Sequence, residues 1–305
     1  MSVTDTAATA PHADAQTTPP ARLWCDGQLV PVDTPLAPAT THAMHYGSGV
    51  FEGIRSYATV DDAYAVFRLP EHLERMRRGA ELLGIAFDAD DATVAIRAVL
   101  RANGHRDAYI RPLAWCGTGA IGLDLAPLSR HLMVATFPTN VHLTGHAPRL
   151  GVSTWRRNPT RSLPPLKLCG AYVNSILAKL ESKARGFDEA LFVDDAGYVV
   201  ECTGANVFLV QDGRLIAVEH ADALNGITRD TVLQLTGATS RAVTLQELRE
   251  AEEVFVCGTA AEVAPIAALE GHRYASDAIG RQVAATYRDV VTGRDPRHAH
   301  WLTYV

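Results

Sequence analysis

Chemistry in this sequence concentrates around Lys167. The chain has three lysines against twenty-five arginines. Lys179 and Lys183 lie four apart on a predicted helix whose buried stripe reads Val173, Leu177, Leu180 and Ala184, which leaves both lysines facing water. Lys167 instead sits among Pro164, Pro165, Leu166, Leu168 and Cys169. Burial there favours the neutral amine and lowers its pKa, as a lysine that condenses with a carbonyl requires. The ordinary alternative is a loop lysine whose stem covers apolar surface while its head stays wet. Glu201 ends an apolar strand and precedes a Thr-Gly turn, so its carboxylate points either into a site or into solvent. A phosphate calls for guanidinium forks and backbone N–H groups at helix starts. Three places offer these: Arg68 between a strand and a helix, Ile227-Thr228 opening a helix after Gly226, and Gly258-Thr259 just past a strand. Each is common taken singly, and helix capping is the ordinary reading of Thr228.

The elements that must position these residues can be read from periodicity. Residues 22–33 predict a hairpin around Asp26-Gly27. Strands are expected at 50–57 and 63–67. A helix follows from Pro70, with Leu73, Met76, Ala80 and Leu83 on one face and Gly84 ending it. A second helix at about 90–103 closes at Gly104, and 108–116 and 131–137 read as strands. Residues 138–148, with little apolar periodicity, form a candidate linker. Beyond it come a strand at 150–155, the lysine loop, a helix at 171–185 and hairpins turning at 194–197 and 212–213. Helices starting near Thr228 and Leu245, a strand at 253–257 and a helix at 277–291 complete the chain. The pattern predicts an α/β (α+β) protein of two domains, 21–137 and 149–305, behind a disordered tail at 1–20. Many strands joined by short turns suggest a closed or nearly closed β core in the second domain.

The segments around these residues resemble the branched-chain aminotransferases of the class IV pyridoxal-phosphate family. The likeness is carried by His45-Tyr46-Gly47, Val50-Phe51-Glu52-Gly53-Ile54-Arg55, Phe67-Arg68, Ala108-Tyr109-Ile110-Arg111-Pro112, and the Lys167 and Glu201 segments. It continues in Gly226-Ile227-Thr228-Arg229-Asp230 and Gly258-Thr259-Ala260-Ala261-Glu262. One such segment is weak; eight in order over residues 23 to about 288 are specific. The resemblance implies a two-domain fold with pyridoxal 5′-phosphate held between the domains. Lys167 then carries the cofactor and shuttles a proton, Glu201 keeps the pyridine nitrogen protonated, and Tyr172 bonds its phenolic oxygen. Arg68, Ile227, Thr228 and Thr259 resemble the family's phosphate ligands. Tyr46, Phe51, Gly53, Arg55, Tyr109 and Arg111 match its substrate pocket, and Thr259 and Ala260 match the turn whose amides hold the α-carboxylate. Tyr109 and Arg111 also match the residues that receive the distal carboxylate of glutamate. The implied reaction exchanges the amino group of leucine, isoleucine or valine with 2-oxoglutarate.

Two departures from the family pattern stand out: Thr139, where many bacterial members carry tryptophan, and Ala205, where some have glutamate. A missing indole wall would widen the pocket and favour bulkier donors. Within the same fold, a D-amino-acid aminotransferase would show an Arg-x-His pair, whereas this chain has Arg111-Pro112-Leu113. An aminodeoxychorismate lyase would lack the Phe51–Arg55 segment.

Composition bounds the remaining classes. A net charge of −6 and a pI near 6.0 give no footprint for nucleic acid or a membrane surface. No apolar run approaches the roughly 20 residues of a spanning helix, and the first twenty residues lack a signal peptide's basic start. Five widely spaced cysteines fit free thiols in a reducing cytoplasm. Residues 117–122 satisfy G-x-G-x-x-G after a strand, but no helix pattern follows and position 142 is histidine, which argues against a dinucleotide site. In the resembling family this glycine loop reaches the neighbouring subunit's site, which implies at least a dimer. The pairs His42/His45, His142/His146 and His298/His300 lack a third ligand and read as surface or loop residues rather than a metal site.

Overall fold

A computed structural model describes residues 21–138 and 147–305. The tail, most of the candidate linker, Thr139, His142 and His146 lie outside the described residues.

β1 (Arg22–Cys25) and β2 (Gln28–Pro31) form the expected hairpin, turning through Asp26 (φ 46°) and Gly27 (φ 93°). α1 (His42–Tyr46) leads to β3 (Gly49–Phe51), β4 (Ile54–Ala58) and β5 (Tyr64–Phe67). The single strand expected at 50–57 is divided at Glu52-Gly53. Opposite Glu52 stands Pro112, which accepts from the Glu52 N–H but has no N–H to return, so the ladder lapses there. α2 (Leu69–Leu82) buries Leu73, Met76 and Ala80 as its spacing predicts, and α3 (Ala89–Asn103) starts on an Asp88 cap and ends at Gly104. β6 (Ala108–Cys116) and β7 (Arg130–Pro138) pair along nine positions. The glycine loop simply joins these two strands.

The second half runs β8 (Arg149–Val152), a 3₁₀ turn, α4 (Tyr172–Ala184), β9 (Glu189–Val193), β10 (Val199–Cys202), β11 (Asn206–Gln211) and β12 (Arg214–Val218). It continues with α5 (Ile227–Thr236), β13 (Thr239–Arg241), α6 (Leu245–Glu250), β14 (Glu253–Gly258) and β15 (Glu262–Pro265). β16 (Ala268–Leu269), β17 (His272–Arg273), α7 (Ala278–Val291), a second 3₁₀ turn and β18 (Leu302–Tyr304) follow. The expected closed β core does not form. Its strands make two open five-stranded sheets, β10-β9-β8-β16-β17 and β13-β12-β11-β14-β15. The turn at 203–205 carries the chain from one sheet to the other, so β10 and β11 never pair and neither sheet curls onto its own edge. β18 departs from the assignment of 149–305 to one domain, because it adds to β5 at the edge of the first sheet. A buried cluster of Tyr57, Phe67, Phe208, Phe255, Val290 and Trp301 likewise joins the first sheet to the third through α7.

α4 reverses the expected stripe. Ser175, Ala178 and Ser182 are buried, whereas Val173 is 56 % and Leu180 60 % exposed. Small residues let the helix sit close on β9, and its larger apolar side chains are left outward. Lys179 is consequently not free: its Nζ lies 2.8 Å from Glu189 Oε2.

Candidate active site

The ends of these elements meet around a cavity of ≈ 640 Å³. The Lys167 segment is fastened to β3 by the Phe51 N–H, which donates to the Lys167 carbonyl at 3.1 Å, and by a Val50–Leu168 bridge. This aims the half-buried side chain into the cavity. Its Nζ donates to Tyr172 Oη at 2.9 Å and lies 5.6 Å from the centre of the Phe51 ring. Phe51 and Tyr172 meet edge to face at 4.7 Å, so the amine is held in an aromatic corner.

Glu201 is buried on the wall formed by the end of β10. Its Oε1 accepts from Arg157 Nε at 2.7 Å, and its Oε2 from the Leu224 N–H at 3.1 Å. Burial pushes the carboxyl above its ordinary 4.5, outweighing the Arg157 charge, the Leu224 amide and the Lys167 charge. Arg157 was not identified from sequence as a site residue, nor was Asn206, whose Nδ2 donates to Leu224 O at 2.9 Å.

At another wall α5 begins without a side-chain cap, so its first amides have no helix partner and its dipole favours an anion. Thr228 is inside the helix and buried rather than serving as the cap. Gly226 leaves room here for Asn206, whose Oδ1 a Cβ would displace. Arg68 does not reach the cavity wall, contrary to expectation. As N-cap of α2 it turns its guanidinium to Glu71 (2.7 Å) and Asp230 (2.5 Å) and stacks on Trp301. The arginine on the wall is Arg75, which sequence reading missed. Its Nη1 donates to the Asn225 carbonyl at 3.0 Å, beside the start of α5.

Of the expected substrate residues, Phe51, Gly53, Tyr109, Arg111, Thr259 and Ala260 line the cavity. Arg111 Nη2 donates to Tyr109 Oη at 2.9 Å, and its guanidinium stacks 4.6 Å from the Phe51 ring centre. Gly53 leaves room for the Tyr109 hydroxyl, which a Cβ would strike. Arg55 and Tyr46 are not on this wall. Arg55 is buried behind it, 2.9 Å from Glu262, because β4 turns that side chain away from the cavity. Tyr46, at the end of α1, is exposed and stacks on His42. His42 is not a surface residue: it is buried, with Nδ1 2.7 Å from Ser48 Oγ and Nε2 2.7 Å from the Gly122 carbonyl. Among the described residues no cluster has the make-up of a metal site.

Glu52, behind the wall, carries a pH signature. Burial alone would raise its pKa, but Arg75 and His72 hold it at about 2 against an ordinary 4.5. A depressed carboxyl stabilises the fold fully above pH 4.5, and that contribution is lost as pH falls toward 2. The stability gap between wild type and Glu52→Gln is therefore expected to be about 2–4 kcal/mol near neutrality. It narrows from pH 5 downward, as read by urea unfolding at stepped pH. A gap that does not change with pH would contradict the ion pair.

The sequence profile of the family described as “Amino-transferase class IV” matches residues 49–269, and the chain belongs to that family. A branched-chain-amino-acid aminotransferase of Pseudomonas aeruginosa is 35% identical, covering 93% of this chain and 97% of its own. The crystal structure of a branched-chain amino acid aminotransferase from T.th. with pyridoxamine 5′-phosphate has a TM-score of 0.89 and 39% identity, over 95% of this chain and 99% of that one. A branched-chain aminotransferase from the archaeon Thermoproteus uzoniensis, solved with norvaline, gives 0.88 and 36%, over 93% of this chain and 98% of that one.

Proposed function

We propose that the protein is a pyridoxal 5′-phosphate-dependent aminotransferase that moves the amino group of branched-chain L-amino acids to 2-oxoglutarate. The observation that carries this reading is one cavity holding Lys167 against Tyr172, a buried Glu201 and an uncapped helix start beside Arg75. This set fits the cofactor: an amine for its carbonyl, a carboxylate for its ring nitrogen and amides with a guanidinium for its phosphate. When bound, the cofactor supplies the carbonyl that takes up the amino group and a ring that withdraws electrons from the substrate α-carbon. Lys167 Nζ takes the α-proton and returns it, and Tyr172 Oη keeps that nitrogen in place between the two transfers. Ile227, Thr228 and Thr259 hold the phosphate with Arg75. Arg68, expected from the family likeness to join them, is tied to the first turns of α5 through Asp230 and Thr231.

The amides of Thr259 and Ala260 take the α-carboxylate. Phe51, Gly53 and Tyr109 offer an apolar wall to an aliphatic side chain. Arg111, stacked on that wall, receives the distal carboxylate of glutamate, so one cavity serves both substrates in turn.

A homodimer belongs to the same reading. The outward apolar face of α4 and the glycine-loop residues Ile121 and Leu123, each 83 % exposed, suit a second copy. Tyr46 shares the loop's surface through the His42–Gly122 bond and would face the partner rather than its own cavity. The division into residues 21–137 and 149–305 is part of the proposal, with β18 returned to the first unit. Five free thiols support a cytoplasmic setting, and among the described residues no helix is long and apolar enough to cross a membrane. A panel of donors against 2-oxoglutarate tests the reaction. Leucine, isoleucine and valine are expected to exceed alanine and aspartate in kcat/KM by roughly 10-fold or more, the value of a methylene or two in an apolar pocket. Preference for D-amino acids, or formation of a lyase product, would refute it.

A further inference from the structure

Residues 51–53 alternate in direction. Phe51 and Gly53 line the cavity, while Glu52 between them turns away into α2, as successive side chains of extended backbone do. Glu52 is fully buried, and a buried carboxylate is tolerated only when donors fill its oxygens. Arg75 Nε reaches Oε1 at 2.6 Å and Arg75 Nη2 reaches Oε2 at 2.9 Å, with His72 Nδ1 2.9 Å from the same Oε2. This fork fixes the plane of the guanidinium. The remaining nitrogen, Nη1, is thereby turned to the Asn225 carbonyl, one residue before the N-cap of α5. A carboxylate that is not itself on the cavity wall thus fixes a guanidinium that is, beside the uncapped start of α5.

We propose that Glu52 is a positioning residue for phosphate recognition, holding Arg75 in the orientation that completes the cradle begun by the first amides of α5. The proposal rests on the reading of that helix start as the cofactor's phosphate site. Without its carboxylate Arg75 keeps its charge but loses the fork that orients it, and the expected loss is set by analogy with groups that orient metal ligands, whose removal costs about 10–100-fold in affinity.

The test compares the full-length enzyme's affinity for pyridoxal 5′-phosphate with that for pyridoxal, which lacks the phosphate, by absorbance titration after cofactor removal. Glu52→Gln is expected to weaken the phosphate ester by about 10–100-fold and to leave pyridoxal within about twofold. Arg75→Gln sets the scale. The double variant should lose no more than Arg75→Gln alone, because Glu52 acts through that side chain. Should Glu52→Gln fail to fold, the same ratio is read on Glu52→Asp. That variant keeps the charge and withdraws the fork by one methylene, and a smaller selective loss is expected. An unchanged ratio, equal weakening of both ligands, or losses that add to those of Arg75→Gln would overturn the role of Glu52. If Arg75→Gln itself leaves the ratio intact, the phosphate-site reading fails instead, and the two failures are distinguishable.

Discussion

Lys167→Ala is expected to lower transamination by roughly 10⁴-fold, the upper end of what one proton-shuttling group contributes, with cofactor still bound through its phosphate. The loss is large because neither of the other two lysines is placed to substitute. Lys179 Nζ is engaged by Glu189 at 2.8 Å, at the start of β9, and Lys183 is exposed. Two measurements check the assignment. Single-turnover kinetics on the purified variant gives the rate loss. Borohydride reduction of the wild type followed by peptide mapping should place the label on Lys167, and a label on Lys179 or Lys183 would remove the central residue from the proposal.

The parts of the site that were legible in sequence are those fixed by short-range structure. Lys167, Tyr172 and Glu201 stand within or beside elements whose ends are marked by turns, and Ile227-Thr228 opens a helix that Gly226 announces. The order of segments supplied their roles. What sequence periodicity cannot show is which neighbour a charged side chain meets. Arg68 and Arg75 lie on one helix and its cap, and only packing sends the first to Asp230 and the second to Glu52 and the cavity. The α4 stripe fails for a related reason. Hydrophobic periodicity reports a face that avoids water and does not say whether the chain's own sheet covers it. Here β9 accepts the serine and alanine face, and Val173 and Leu180 are left over. The strand break at Glu52 and the return of β18 to the first sheet are long-range pairings with no local mark beyond Pro112.

Glu201→Gln is expected to retain cofactor and to lose roughly 100-fold or more in kcat, in keeping with removal of an electrostatic partner of the transition state. Glutamine has nearly the shape of glutamate and can still accept the Leu224 amide at its 3.1 Å position. It carries no charge, and so cannot hold a proton on the ring nitrogen that must draw electrons from the substrate. Arg157 complicates the variant: its guanidinium, 2.7 Å from Glu201 on a side chain only 9 % exposed, is left without a counter-charge. Some loss of stability is therefore expected from the substitution, and Glu201→Asp controls for it by keeping the charge. A second readout separates the two effects. Burial raises the Glu201 pKa above 4.5, so the empty site takes up a proton there as pH falls. Cofactor affinity of the wild type should accordingly decline more steeply on the acid side than that of the glutamine variant. If Glu201→Gln turns over at a near-normal rate with cofactor bound, or if its acid limb matches the wild type, Glu201 is a partner of Arg157 alone and the ring nitrogen is held by another group.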